Sequence, residues 1–186
     1  MNEFFTVETD VRTYIRDYRD TARFLALCRQ CGNYGRLWSC PPFGFDADSG
    51  LSAWHTALIV AARVRMPSGL ESLSDGMVVL RSVKTGLEER LLDLEKRYGG
   101  LAFGFSGECT LCDECARLSG KECLHPDKVR PALEAYGFNV DKTLRELLGI
   151  EMEWGAKGTI PSTITLVGAL FHNRPKGQIR FRQGNV

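Results

Sequence analysis

The residues best suited to chemistry are seven cysteines, and all of them fall in two short segments of the chain. The later segment holds Cys109, Cys112, Cys115 and Cys123, at the spacing C-x2-C-x2-C-x7-C. Three thiolates at this short spacing can converge on one side of a compact turn, and a fourth that arrives after a short loop completes a four-sulfur cage. We call these four residues the second cysteine group, and their spacing predicts a metal site.

An iron–sulfur cluster is the first interpretation of the second cysteine group. The run is close to the bacterial ferredoxin pattern C-x2-C-x2-C-x3-C-P, although its last gap has seven residues rather than three. Structural zinc is the alternative, because four-cysteine zinc sites also use C-x2-C pairs. Zinc sites usually present two separated pairs, so three cysteines in series favour a [4Fe–4S] cluster.

The earlier segment holds Cys28, Cys31 and Cys40, which we call the first cysteine group. Its pattern, C-x2-C-x8-C-P, has no fourth cysteine in the loop. It is consistent with a second cluster or metal whose fourth position is open or filled by another residue type. It is also consistent with an exchange in which Cys40 joins the second group and Cys123 joins the first, as in two-cluster ferredoxins. A third interpretation is three buried thiols or a labile zinc site.

Composition places the chain among globular proteins and limits the classes of partner to be expected. The 186 residues are 44% apolar and 25% charged with a net charge of +1, which gives no reason to expect a nucleic-acid or membrane-surface partner. No export leader is recognisable, and the longest apolar run, residues 57–62, is too short to span a bilayer. We therefore expect a reducing cytoplasm, in which clustered cysteines are more often ligands than disulfides.

The elements that must position the cysteines follow from apolar periodicity. We predict one domain, residues 1–186, with cysteine loops at 28–45 and 108–126. Its fold class is α/β or α+β: a single sheet is flanked by helices, and the cysteine loops lie at one end. Gly86 is expected to kink or break one helix, and the tail from His172 is expected to be loosely held or an edge strand. The predicted strands are 4–7, 57–66, 101–105 and 163–171, and the predicted helices are 10–27, 51–55, 73–98, 127–136 and 142–148.

Several motifs extend beyond the cysteines and carry a family resemblance. They include Trp38-x-Cys40-Pro41-Pro42 in the first loop, Cys123-x-His125-Pro126 in the second, and the run from Val129 to Gly137. At these residues the chain resembles a family of small prokaryotic proteins described as predicted metal-binding proteins of unknown function. The resemblance covers most of the chain from Cys28 to about Phe171, and it implies a metal site that uses these cysteines.

Three functions are compatible with these patterns. The first is a cytoplasmic iron–sulfur protein with one or two [4Fe–4S] clusters, which carries electrons to a partner protein or senses redox state. The second is a zinc-binding structural or metal-handling protein. The third is an iron–sulfur enzyme whose three-cysteine site leaves a coordination position open for substrate. The sequence contains no dinucleotide fingerprint of the G-x-G-x-x-G type after a strand and no phosphate loop.

Overall fold

The computed structural model describes residues 2–70, 73–155 and 160–181, and its centre is one four-stranded sheet. All three strand pairings are antiparallel, and the strand order is β1-β2-β4-β3. Helices cover both faces, so the predicted mixed fold with a single flanked sheet is confirmed. The strands are β1 (Glu3–Asp10), β2 (Thr56–Arg65), β3 (Leu101–Phe103) and β4 (Thr163–His172).

The longest helix crosses one face of the sheet, and shorter helices cover the other. No helix in the described part of the chain has the length and apolar character needed to cross a membrane. The α-helices are α1 (Val11–Tyr18), α2 (Thr21–Cys28), α3 (Leu73–Tyr98) and α4 (Val140–Thr143), and α4 continues into a π-helical turn, Leu144–Leu148. The 3-10 turns are Leu51–Ala53, Ala116–Ser119 and Leu133–Tyr136.

Alternation along β2 divides the buried side chains between two hydrophobic cores. Successive strand residues point to opposite faces of a sheet. Ala57, Ile59 and Ala61 pack with α1 and the Leu133–Tyr136 turn, whereas Leu58, Val60, Ala62 and Val64 pack against α3. The sheet is therefore buried on both faces, which explains why this strand is an almost continuous apolar run.

The predicted single helix at 10–27 is wrong, because the chain breaks between α1 and α2. At the break Arg19 forms an isolated antiparallel bridge with Phe138, and the backbone N–H of Asp20 donates to the carbonyl of Gly137 at 2.8 Å. The side chain of Asp20 then accepts from the N–H of Arg23 and starts α2. These hydrogen bonds to a distant segment replace the helical ones that the periodicity predicted.

The predicted helix at 127–136 is also wrong except for its last turn, Leu133–Tyr136. Before that turn, Ala132 forms an isolated parallel bridge with Gly104, and the N–H of Gly104 donates to the carbonyl of Pro131 at 2.9 Å. The segment thus lies beside the end of β3 and cannot use its backbone groups for a helix. This pairing also ends β3 at Phe103, two residues earlier than predicted.

Three smaller expectations also change. Helix α3 runs without a break through Gly86. The last helical segment begins at Val140 rather than at 142, with Asn139 as its N-cap. The tail is held as far as it is described, because His172 is the last residue of β4 and is fully buried, as is Ile179. Residues 182–186 of the predicted tail lie outside the described residues.

Gly168 on β4 is expected to tolerate no side chain. A Cβ there would lie 2.9 Å from the ring of Phe105 and 3.0 Å from Leu91, in the core that α3 covers. Gly168→Ala should lower the free energy of unfolding by ~1–3 kcal/mol through overpacking. Gly44→Ala is the matched control, because Gly44 is exposed and no described atom lies within 4 Å of its added Cβ. Urea denaturation of both variants measures the difference, and equal stabilities would contradict the packing argument.

His172 is expected to make the protein less stable as the pH falls below about 6.5. Burial lowers the pKa of His172 beneath its ordinary value of 6.5, and Nδ1 accepts a hydrogen bond from the N–H of Arg174 at 3.2 Å. Below that pH the unfolded chain takes up a proton that the folded chain excludes, so the free energy of unfolding decreases. The free energy of unfolding, measured between pH 7.5 and 5, should vary less with pH in His172→Gln than in the wild type. The difference in slope should correspond to the uptake of at most about one proton on unfolding. The exposed His55 provides the control, and His55→Gln should keep the wild-type slope.

Candidate metal centre

The second cysteine group lies in the loop that follows β3. The start of the loop is held by α3, because the ammonium of Lys84 donates to the carbonyls of Ser106 at 3.2 Å and Glu108 at 2.5 Å. It later folds back at the 3-10 turn Ala116–Ser119, which ends at Gly120 with φ of 67°. This reversal returns Cys123 to the first three cysteines, and all four side chains line one cavity of about 210 Å³.

The first cysteine group lies in the irregular loop after α2, and Cys28 is the last residue of that helix. The N–H of Cys31 donates to the carbonyl of Cys28 at 3.0 Å, and the N–H of Cys40 donates to the carbonyl of Leu37 at 3.1 Å. Gly35 closes the loop with φ of 71°, and its N–H donates to the carbonyl of Pro41 at 2.8 Å. The three cysteines line a second cavity of about 180 Å³.

The two cavities adjoin, and Cys109 lines both of them. Cys40 lines the cavity of Cys28 and Cys31, whereas Cys123 lines the other cavity. The structure therefore keeps each group together as the sequence orders it, and the hypothetical exchange of Cys40 and Cys123 would require each thiol to reach the neighbouring cavity. Three further residues, Asn33, Leu111 and Val129, form the remainder of the shared wall.

Arg117, which lies between Cys115 and Cys123, ties the two loops together. Its guanidinium donates to three carbonyls of the first loop, those of Leu37 at 2.8 Å, Cys40 at 2.9 Å and Pro42 at 2.7 Å. It also lies over the ring of Trp38, 4.8 Å from the centroid, and the indole N–H donates in turn to the carbonyl of Lys121 at 3.1 Å. A planar fork of donors suits this task, since one side chain can satisfy several carbonyls and stack at the same time.

Backbone amides reach two sulfurs of the second group. The N–H of His125 donates to Sγ of Cys123 at 3.4 Å. A hydrogen bond from the backbone of Leu111 counteracts the effect of burial on the pKa of Cys109. Amide donors of this kind stabilise negative charge on sulfur and tune a bound metal. The contact of His125 with the sulfur is made by its backbone N–H.

Burial raises the pKa of three thiols, those of Cys28, Cys40 and Cys109. Neighbouring cysteines raise them further: Cys31 acts on Cys28 and on Cys40, and Cys112 acts on Cys109. A nucleophilic cysteine needs the opposite shift, because the thiolate is the reactive form. These thiols are therefore poorly suited to nucleophilic catalysis, whereas a bound cation would displace their protons.

A set of buried and half-buried polar residues, not predicted from the sequence, adjoins the cysteines. Lys84 is only 5% exposed and lies 3.6 Å from the carboxylate of Glu88, which accepts a hydrogen bond from Thr110 at 3.2 Å. The hydroxyl of Ser106 donates to Oε1 of Glu134. Burial raises the pKa of Glu88 and of Glu134. A signal was present in α3, since positions 84 and 88 continue the apolar stripe of the helix with charged residues.

The donor set fits a metal centre in type and number. Seven thiols surround two adjoining cavities, amides point at sulfur, and a buried ammonium offsets part of the negative charge. Within residues 2–70, 73–155 and 160–181, no three His, Cys, Asp or Glu side chains are gathered closely enough to hold a single ion. The thiols are spread around their cavities rather than drawn to one point.

A comparison with protein families agrees with this donor set. The family described as predicted metal-binding protein (DUF2284) matches residues 14–171, a span that contains all seven cysteines. The chain belongs to this family. No curated protein and no solved structure matches the chain. The resemblance inferred from the cysteine motifs is thereby confirmed, and so is the general prediction of a metal-binding protein, as the family is described.

Proposed function

We propose that this member of the metal-binding family is an iron–sulfur protein that transfers electrons or senses redox state. In this proposal Cys109, Cys112, Cys115 and Cys123 bind a [4Fe–4S] cluster, and Cys28, Cys31 and Cys40 bind a second cluster or metal. A bound cluster supplies a one-electron couple. The protein supplies the thiolates, limits the access of water and sets the reduction potential of the cluster.

The observation that carries the proposal is the cavity shared by the four cysteines of the second group. A zinc ion binds thiolates at ~2.3 Å, which brings the sulfurs to within ~3.8 Å of one another. A cubane cluster separates its thiolates more widely, since each binds a different iron. Four thiols around one cavity of about 210 Å³ support a cluster, which is larger than a single zinc ion.

The contact between the two cavities supports an electron-transfer role. Cys109 belongs to the second group by sequence and also lines the cavity of the first. Metal centres in two cavities that share a wall would be close enough for rapid electron exchange through that wall. Two such centres give the protein a site for receiving an electron and a site for passing it on.

Anaerobic purification followed by iron, acid-labile sulfide and zinc analysis tests the proposal. We expect brown protein that absorbs near about 400 nm and contains iron and sulfide in equal amounts. Dithionite should bleach the absorbance, and air should restore it or destroy the cluster. Colourless protein that binds zinc after anaerobic reconstitution with iron, sulfide and zinc would favour the structural or metal-handling alternative instead.

A further inference from the structure

The first cysteine group has three thiols, and the structure contains a fourth side chain suited to complete it. Glu134 lines the same cavity as Cys28, Cys31 and Cys40. It lies on the 3-10 turn Leu133–Tyr136, nearly a hundred residues after Cys40 in sequence. The sequence pattern around the cysteines therefore gave no indication of it.

Glu134 has one oxygen engaged and one oxygen free. Its Oε1 accepts the hydrogen bond from the hydroxyl of Ser106. Its Oε2 is buried and has no hydrogen-bond partner among the described residues. Three other buried polar atoms in the described part of the chain share this property, but they belong to Glu8, Arg63 and His172, which line neither cavity. A buried carboxylate oxygen without a donor is costly, so this oxygen indicates a partner other than the protein.

The fold fixes the turn that carries Glu134 against the helix that ends in Cys28. The N–H of Asp20 donates to the carbonyl of Gly137, and the N–H of Asn139 donates to the carbonyl of Tyr18 at 2.7 Å. Gly137 packs so closely on α2 that an added Cβ would lie 2.7 Å from the backbone of Thr21. Cys28 and Glu134 line the same cavity.

The other candidates for the fourth position are less suitable. Glu88 also lines the cavity, but Lys84 contacts its Oε1 and Thr110 donates to its Oε2. Cys109 lines the cavity as well, but it also lines the cavity of Cys112, Cys115 and Cys123, to whose group it belongs by sequence. Among the described residues, Glu134 alone combines a place on the cavity with a free buried oxygen.

We infer that Glu134 is the fourth ligand of the first cysteine group, which completes a metal site of three thiolates and one carboxylate. The inference rests on the proposed function in taking the three cysteines as ligands, although it holds for a cluster or, if the four side chains draw together on binding, for a single divalent ion. The hydroxyl of Ser106 then orients the carboxylate through Oε1, as the hydrogen-bond partners of metal-bound carboxylates commonly do. Oxygen is a harder ligand than sulfur, so the metal bound by Glu134 exchanges its carboxylate ligand more readily than its thiolate ligands.

The test compares four full-length proteins: the wild type, Glu134→Ala, Glu134→Cys and the matched control Glu88→Gln. Each is loaded anaerobically in two parallel samples, one with iron and sulfide and one with cobalt(II) alone. Metal per chain and electron paramagnetic resonance are measured on the iron samples. Cobalt affinity and visible absorption, which reports the number of thiolates on the ion, are measured on the others.

We expect Glu134→Ala to bind cobalt at one site at least about tenfold more weakly, since loss of a ligand exceeds the effect of losing a supporting residue. Its iron sample should lose one iron per chain and show the signal of a three-iron cluster. Glu134→Cys should retain the metal and gain sulfur-to-cobalt absorption. Glu88→Gln alters a supporting residue of the same cavity but no ligand, so it should lose less cobalt affinity than Glu134→Ala and keep the full iron content.

Wild-type metal content and spectra in Glu134→Ala would overturn the assignment, as would the same losses in Glu88→Gln. If Glu134→Ala does not fold, an unchanged cobalt spectrum in Glu134→Cys would overturn it by itself. Failure of the proposed iron–sulfur function has a different result: the wild type would bind cobalt but form no cluster with iron and sulfide, and the cobalt samples would still decide the role of Glu134. A wild type that binds no metal at the first group in either sample contradicts the assignment.

Discussion

An anaerobically loaded Cys123→Ala protein is expected to lose the cluster of the second cysteine group and to retain the metal of the first. The reason is that Cys123 lines only the cavity of Cys109, Cys112 and Cys115, and a cubane that lacks one of its four thiolates becomes labile. Iron and sulfide per chain should fall by one cluster's content. Electron paramagnetic resonance after dithionite reduction should lose the corresponding signal.

Cys40→Ala is the reciprocal variant, because Cys40 lines only the cavity of the first group. It should lose the first-group metal and keep the cluster of the second group. Far-ultraviolet circular dichroism of the two metal-free variants shows whether each still folds. If Cys40→Ala instead removed the second-group cluster, the two groups would exchange ligands, and the separation seen in the structure would not describe the loaded protein.

Arg117→Ala is expected to separate the two cysteine loops and to lower the free energy of unfolding of the metal-free protein by ~2–4 kcal/mol. The variant loses three hydrogen bonds from a charged group, those to the carbonyls of Leu37, Cys40 and Pro42. It also loses the contact with the ring of Trp38. Because the loops then sample more conformations, both metal sites should release metal faster to a chelator.

Arg117→Lys should recover little of this loss, since an ammonium lacks the fork that reaches several carbonyls. Arg145→Ala is the control, because within the described part of the chain Arg145 forms only a surface ion pair, with Asp141 at 3.4 Å. Urea denaturation under reducing conditions gives the free energies, and chelator competition gives the release rates. Equal stability of Arg117→Ala and Arg145→Ala would show that the loops are held together by other contacts.

The periodic elements of this fold could be predicted because their signals are local. The predicted helix 73–98 coincides with α3, and the predicted strands 57–66 and 163–171 differ from β2 and β4 by a residue at their ends. The failures lie where distant segments compete for backbone groups. The pairing of Arg19 with Phe138 breaks one predicted helix, and the pairing of Ala132 with Gly104 prevents another.

The site shows the same division between local and distant information. The cysteines could be recognised from spacing alone, and the family match agrees with the metal-binding prediction. Their supporting residues come from elsewhere: Lys84 and Glu88 from α3, and Glu134 from a turn that follows both loops. Arg117 lies within the second loop, yet its carbonyl partners lie in the first, so its role becomes visible only when the loops are seen together.

Anomalous diffraction at the iron edge, from crystals grown anaerobically, tests the central claim most directly. The account predicts a strong iron peak within bonding distance of the sulfurs of Cys109, Cys112, Cys115 and Cys123. It predicts a second metal peak beside Cys28, Cys31 and Cys40. A single peak at the zinc edge beside Cys109, Cys112, Cys115 and Cys123, with no iron signal there, would contradict an iron–sulfur cluster bound by the second cysteine group.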